Sequence, residues 1–280
     1  MNSMIDFERE TLTAVFNSKR VWAIHLVMNA SLMVAFFYWT RIPEETGWQF
    51  TLTVIGGLAI AFVTLWLHSA TFDFFRPSSE KIFRVSLRRS ISRVPAFLLW
   101  ALIFGFVLWV LGQIWNYEQQ IGGWARHMLP LFLRRQVSPR TMFALSHWLI
   151  WFVYFFIWPI MFLPVGAQVA TKNVRGFFSG AAFRPIRQLS FWISYAGCFV
   201  LGAYIPYTLA WMLPTRPSPL DHQEWSMVAR LGSGYLLLVT AWIVLCTAIM
   251  IASKGEGGVM ERADPKPATL HPPNTEAQSC

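Results

Sequence analysis

Six apolar runs punctuate the chain, at about residues 21–40, 50–68, 94–116, 143–168, 189–213 and 231–252, and none contains Asp, Glu, Lys or Arg. A helix needs about 20 apolar residues to cross the hydrocarbon core of a bilayer, and a spanning segment must satisfy its backbone hydrogen bonds internally. The pattern predicts an all-α polytopic membrane protein: six transmembrane helices in a bundle within residues 1–252, joined by amphipathic interfacial elbows. From Ser253 the character changes to SKGEGGVMERADPKPATLHPPNTEAQSC, rich in Gly, Pro and charge, which predicts a disordered cytoplasmic tail over 253–280.

The 143–168 run carries the heaviest aromatic load, including Trp148, Trp151, Tyr154, Phe155, Phe156 and Trp158, and is expected to form the centre of the protein. Pro159 and Pro164 interrupt it, and Pro206 interrupts the fifth run. Proline lacks the N–H that would bond four residues back and pushes the helix aside, so kinks, and a cavity beside them, are expected at these positions. Small residues spaced four apart, at Gly57/Ala61, Ala101/Gly105, Cys198/Gly202 and Ala248/Ala252, mark surfaces where helix backbones can approach closely.

Charge refines this picture. Only 13% of residues are charged, about half the usual share of a soluble domain. The net charge of +9 lies between the apolar runs, which suits a membrane surface better than nucleic acid. Counted on alternate sides, 16 Lys and Arg fall with the two termini and 7 on the opposite side. Positive loops stay inside, so both termini are expected in the cytoplasm of a bacterial inner (plasma) membrane. Residues 1–20 carry Asp6, Glu8 and Glu10 ahead of Lys19 and Arg20, and the first apolar run is long and lacks a small-residue cleavage site. The first run therefore reads as a retained helix rather than a signal peptide. The 117–142 loop runs against the count with Arg126, Arg134, Arg135 and Arg140. Its interleaved Trp124, Met128, Leu131 and Phe132 suit an interfacial segment broken at Pro130.

The elbow before the third run is more regular. Ser78 and Ser79 are expected to cap a helix in which Phe83, Leu87, Ile91 and Val94 share one face. Lys81, Arg84, Arg88, Arg89 and Arg93 are the expected lipid- or partner-binding residues. The partner is an anionic lipid of the inner leaflet, with a second protein or a second copy as alternatives.

Candidate chemistry is sparse. His25 and His68 fall at similar depth on neighbouring spans, the arrangement that holds a haem between two imidazoles. His68, Ser69 and Asp73 bring an imidazole, a hydroxyl and a carboxylate within six residues. His127 and His147 form a further conceivable pair, but no HExxH spacing accompanies them. The cysteines Cys198, Cys246 and Cys280 form no metal-binding spacing, and Gly232-Ser233-Gly234 lacks the Lys and preceding strand of a phosphate loop. No catalytic residue, metal or cofactor is assigned from these patterns. The leading expectation is a non-enzymatic inner-membrane protein whose basic elbows engage anionic lipid or a partner. The alternatives are a permease for an apolar or amphiphilic substrate moving about the kinked fourth helix, and a haem or redox module on His25 and His68.

Overall fold

Long apolar runs without charge become helices wherever the chain is described, and the short polar stretches become their caps and turns. The structure, a computed structural model, describes residues 2–43, 45–77, 79–211 and 220–254. Among these there is no strand. Among the described residues six helices are long and apolar enough to cross a membrane: Lys19–Trp39, Gly47–Phe75, Phe83–Asn116, Pro139–Phe178, Leu189–Ala210 and Gln223–Ala252. This is the all-α polytopic bundle expected, and it makes the chain an integral membrane protein. Ser78, the expected cap, and the tail beyond Lys254 lie outside the described residues.

In chain order the helices are α1 (Asn2–Phe16), α2 (Lys19–Trp39), α3 (Gly47–Phe75), α4 (Phe83–Ser90), α5 (Val94–Asn116), α6 (Glu118–Met128) and α7 (Leu131–Gln136). They continue with α8 (Pro139–Phe152), α9 (Trp158–Lys172), α10 (Leu189–Phe199), α11 (Ile205–Trp211) and α12 (Leu220–Ala252). Local signals set several ends. Thr46 and Gln49 close a capping box on α3. Ser138 caps α8 with Pro139 in its first turn. The chain breaks between α6 and α7 at Pro130, as its missing N–H requires.

The helix at the centre is α12, not the aromatic fourth span. Over its most apolar window of 18 residues, 56% are buried, against 6% to 22% in the other five spans. Gly202 brings α12 close: a Cβ there would lie 2.6 Å from that of Ala241. Tyr235 donates to the Leu26 carbonyl at 2.6 Å and fastens α12 to α2. Of the other small-residue pairs, Ala248 and Ala252 are buried in the core, whereas a Cβ on Gly105 would meet nothing within 4 Å.

The N-terminal segment forms a helix, α1, folded against the ends of α10 and α12. Thr11 and Val15 are buried, Glu8 accepts from Ser194 at 2.7 Å, and Glu10 pairs with Lys254 at 3.3 Å. Arg184 donates to the carbonyls of Ser253 and Lys254, and Gln188 to that of Ala252. The segments expected on the side of the termini thus meet at one end of the bundle, hereafter the basic end.

The fourth and fifth spans, interrupted by Pro159 and Pro206, change winding just before these prolines. A five-residue π turn, Val153–Ile157, precedes Trp158-Pro159, and another, Val200–Tyr204, precedes Ile205-Pro206. A π turn relieves the ring's clash with the preceding turn by adding a residue. The Tyr195 hydroxyl of the fifth span donates at 2.5 Å to the carbonyl of Phe155, which lies in the Val153–Ile157 turn four residues before Pro159. Pro164 lies within α9, beside the point where Trp100 packs against Gly166 and donates to the Phe162 carbonyl at 3.1 Å.

Candidate functional site

Helices that return to the same end bring distant loop residues together, and here they bring cations. At the basic end a cavity of about 690 Å³ is lined by Arg76 from the end of α3, Lys172 from the end of α9, Arg184 and Arg187 from the segment after it, and Lys254 following α12. No Asp or Glu lines it. Its far wall is residues 173–187, a series of tight 3₁₀ turns. Asn173 starts them with φ 59° and ψ −150°, a conformation few residues other than glycine tolerate. Gly176 keeps them close, since a Cβ there would lie 2.4 Å from the backbone of Gln168 and Val169.

The lining cations are unevenly satisfied. Lys172 donates to the Ser179 hydroxyl at 2.9 Å, Arg184 to the two carbonyls after α12, and Lys254 reaches Glu10. The Arg187 guanidinium has no hydrogen-bond or ion-pair partner among the described residues, and the buried Nε of Arg76 has none. Beside this mouth stand large apolar side chains: Phe178 is 89% exposed, and Phe183 and Leu189 are exposed as well.

An ion pair underlies the cavity. Asp73, fully buried, lies within α3 because that helix runs seven residues past the expected end at 68. Arg93 donates to Asp73 Oδ1 at 2.5 Å and to the Ala170 carbonyl at 3.4 Å, tying α3 and α9 to the start of α5. Ser69 donates to the same Ala170 carbonyl. His68, Ser69 and Asp73 therefore form no catalytic constellation. Five helical residues turn about 140°, so His68 faces Trp242 while Asp73 faces Arg93.

The expected basic elbow divides by role. Lys81 donates to the carbonyls of Phe74 and Arg76 at 3.2 Å each, closing the end of α3. Burial, with the charge of Lys254 added, lowers its pKa from 10.5. Arg89 pairs with Glu80 at 3.1 Å, and Arg93 is taken by Asp73. Arg84 and Arg88 remain exposed. The helix starts at Phe83 with Ile82 as its N-cap, so the expected serine cap is not formed at Ser79. Its buried side is Phe83, Ser86 and Ser90, held by Trp66 donating to the Leu87 carbonyl, and Ile91 is exposed.

His25 and His68 do come together, with ring centroids 5.8 Å apart. The donor chain nevertheless occupies both nitrogens of His25. Asn29 donates to Nδ1 at 3.2 Å, Nε2–H donates to Thr71 at 2.6 Å, and Thr71 donates on to the Leu67 carbonyl. A haem iron would have to break one of these bonds, so the pair does not fit that group as it stands. His68 instead lines an apolar cavity of about 680 Å³ between α2, α3 and α12, together with Asn29, Tyr235 and Trp242. His147 has a carboxylate partner that its own neighbourhood in sequence does not reveal, Glu118 at 2.8 Å. Among the described residues no group of three His, Cys, Asp or Glu is placed to hold a metal ion.

Beside the proline-bearing fourth and fifth spans lies a smaller cavity. A space of about 170 Å³ between the fourth, fifth and sixth spans is lined by Leu163, Tyr195 and Gly202, among others, and none of Pro159, Pro164 and Pro206 borders it. Sequence reasoning counted Arg76, Lys172, Arg184, Arg187 and Lys254 only toward orientation, and their shared side of the membrane was the one available sign that they meet. The chain matches no family model, no curated protein and no solved structure.

Proposed function

We propose that this integral membrane protein acts by binding, with both termini in the cytoplasm and its basic end engaging anionic lipid headgroups of the inner leaflet. The observation that carries the reading is the convergence of cations at one end of the bundle, with Arg84 and Arg88 exposed on α4 and five more around an acid-free cavity. Each basic residue near an anionic surface contributes about 1 kcal/mol. A protein partner or a second copy of the chain could use the same surface, but the exposed apolar side chains beside the cations suit a membrane interface better. The permease reading has weaker support: the π turns before Pro159 and Pro206 supply bends, but Tyr195 bridges one of them and the space nearby is small.

The test uses the full chain in nanodiscs of mixed phosphatidylglycerol and phosphatidylcholine, with the lipid retained around the protein quantified by mass spectrometry. Arg84→Gln with Arg88→Gln should reduce the preference for phosphatidylglycerol by up to about 30-fold at low salt, the equivalent of two surface charges. High salt should reduce the wild-type preference in the same direction. An unchanged preference in both experiments would refute the reading.

A further inference from the structure

Five like charges around one cavity repel one another, and a fold that keeps them there without a lining carboxylate leaves their field for a ligand to neutralise. We propose that the cavity beneath residues 173–187 is a specific site for an amphiphile whose head ends in a phosphomonoester or diphosphate. This rests on the reading that the basic end engages anionic lipid, and it names the head that the cavity takes.

Charge selects the head. A phosphodiester carries one negative charge, whereas a terminal phosphate carries about 1.5 to 2 and offers three acceptor oxygens. Arg187 is free to donate, Arg76 presents a buried Nε without an acceptor, and Lys172 and Arg184 hold only neutral acceptors. Guanidinium groups pair with phosphate through two parallel N–H donors, which adds direction to the charge. The wall is fixed before any ligand arrives, because Asn173 and Gly176 hold the 3₁₀ turns against α9, so little ordering is left for binding to accomplish. A volume of about 690 Å³ exceeds what one phosphate needs and lies in the range of organic ligands.

Position selects an amphiphile over a free anion. Phe183 lines the cavity, and Phe178 and Leu189 flank the same segment with most of their surface uncovered. Side chains of this kind at the end of a transmembrane bundle sit among headgroups and upper acyl chains. A head held by the arginines would leave its tail against these residues and the bilayer.

The test measures binding of phosphatidic acid, phosphatidylglycerol and soluble inorganic pyrophosphate to the full chain in phosphatidylcholine nanodiscs. Phosphatidic acid, with its terminal phosphate, should bind one per protein and persist at a salt concentration that removes phosphatidylglycerol. Arg187→Gln and Arg184→Gln should each weaken it by at least about tenfold. The Arg187 side chain is exposed and without a partner among the described residues, so its variant keeps the wild-type unfolding midpoint, and Arg187→Lys should recover part of the binding. Arg84→Gln with Arg88→Gln, which do not line the cavity, should leave this binding intact while lowering the general preference for phosphatidylglycerol. That contrast separates the two proposals. Equal binding of both lipids, indifference to Arg187→Gln, or pyrophosphate binding as tightly as phosphatidic acid would overturn the headgroup site. So would tighter binding after Glu256→Gln, Glu261→Gln and Asp264→Asn, since the chain's own acidic tail would then be the occupant.

Discussion

Arg93→Gln should destabilise the bundle by about 3–5 kcal/mol, because it leaves the Asp73 carboxylate buried without a cation. Two opposite charges 2.5 Å apart attract by about 7 kcal/mol at an effective dielectric of about 20. Desolvating each ion costs several kcal/mol, so the intact pair is close to neutral overall. Truncating one partner removes the attraction and keeps the cost of burying the other. That cost is steep here: Asp73 is 0% exposed and its Oδ2 has no hydrogen-bond partner. The double replacement Asp73→Leu with Arg93→Met removes both charges and should return to within about 1 kcal/mol of the wild type. Unfolding in nanodiscs, followed by tryptophan fluorescence, reads the difference as a midpoint lowered by roughly 6–20 °C in the single variant and nearly restored in the double. A single variant that loses under about 1 kcal/mol, or a double variant no better than the single, would falsify the account of Asp73 as a charge held by Arg93.

Two further outcomes test other parts of the fold. Tyr195→Phe should cost about 0.6–1.7 kcal/mol in the wild type and clearly less in a Pro159→Ala background, where a backbone N–H is again available to the Phe155 carbonyl. Equal costs in both backgrounds in a double-mutant cycle would show that the hydroxyl does not replace the lost amide. Lys81 has a folded-state pKa below its unfolded value of 10.5, so the unfolded chain binds more protons between the two values. Stability should therefore rise with pH through the window ending at 10.5, and Lys81→Gln should flatten that rise relative to the wild type. An identical slope in the two proteins would remove Lys81 as its source.

The spans were legible because composition alone decides them: no charge-free run of 20 apolar residues has an alternative to lipid or a core. Which span is central was not legible, because aromatic content measures apolarity and not enclosure. Trp148 and Leu149 in the fourth span are largely exposed, on surface available to lipid. Ala241, Ala248 and Ala252 in α12 are small, so neighbours close over them. The true end of α3 was hidden for a related reason. Asp73 looks like the close of an apolar run until Arg93, twenty residues on, is seen to neutralise it inside the bundle. In α1, Asp6, Glu8 and Glu10 speak in sequence only against a signal peptide, yet Glu8 and Glu10 bind the ends of the fifth and sixth spans. The pairing of His25 and His68 was anticipated from depth, whereas the bonds that occupy His25 come from Asn29 and Thr71, ordinary span residues that no motif distinguishes.

The basic cavity is the extreme case of such long-range assembly, with lining residues drawn from positions 76 to 254 and no spacing that could serve as a motif. What fixes their geometry is the layer just beneath. The Ala170 carbonyl, two residues before Lys172, accepts from both Ser69 and Arg93, and Arg93 is held in turn by Asp73, three residues before Arg76. The pair thus sets the relation of α3 to α9 where each delivers a cation to the cavity, and Gly176 and Arg184 fasten the wall to α9 and α12. A buried charge pair that adds little net stability still specifies one arrangement of three helices. That arrangement is the one that keeps Arg76, Lys172 and Arg187 around a common space instead of letting their repulsion spread them along the membrane surface.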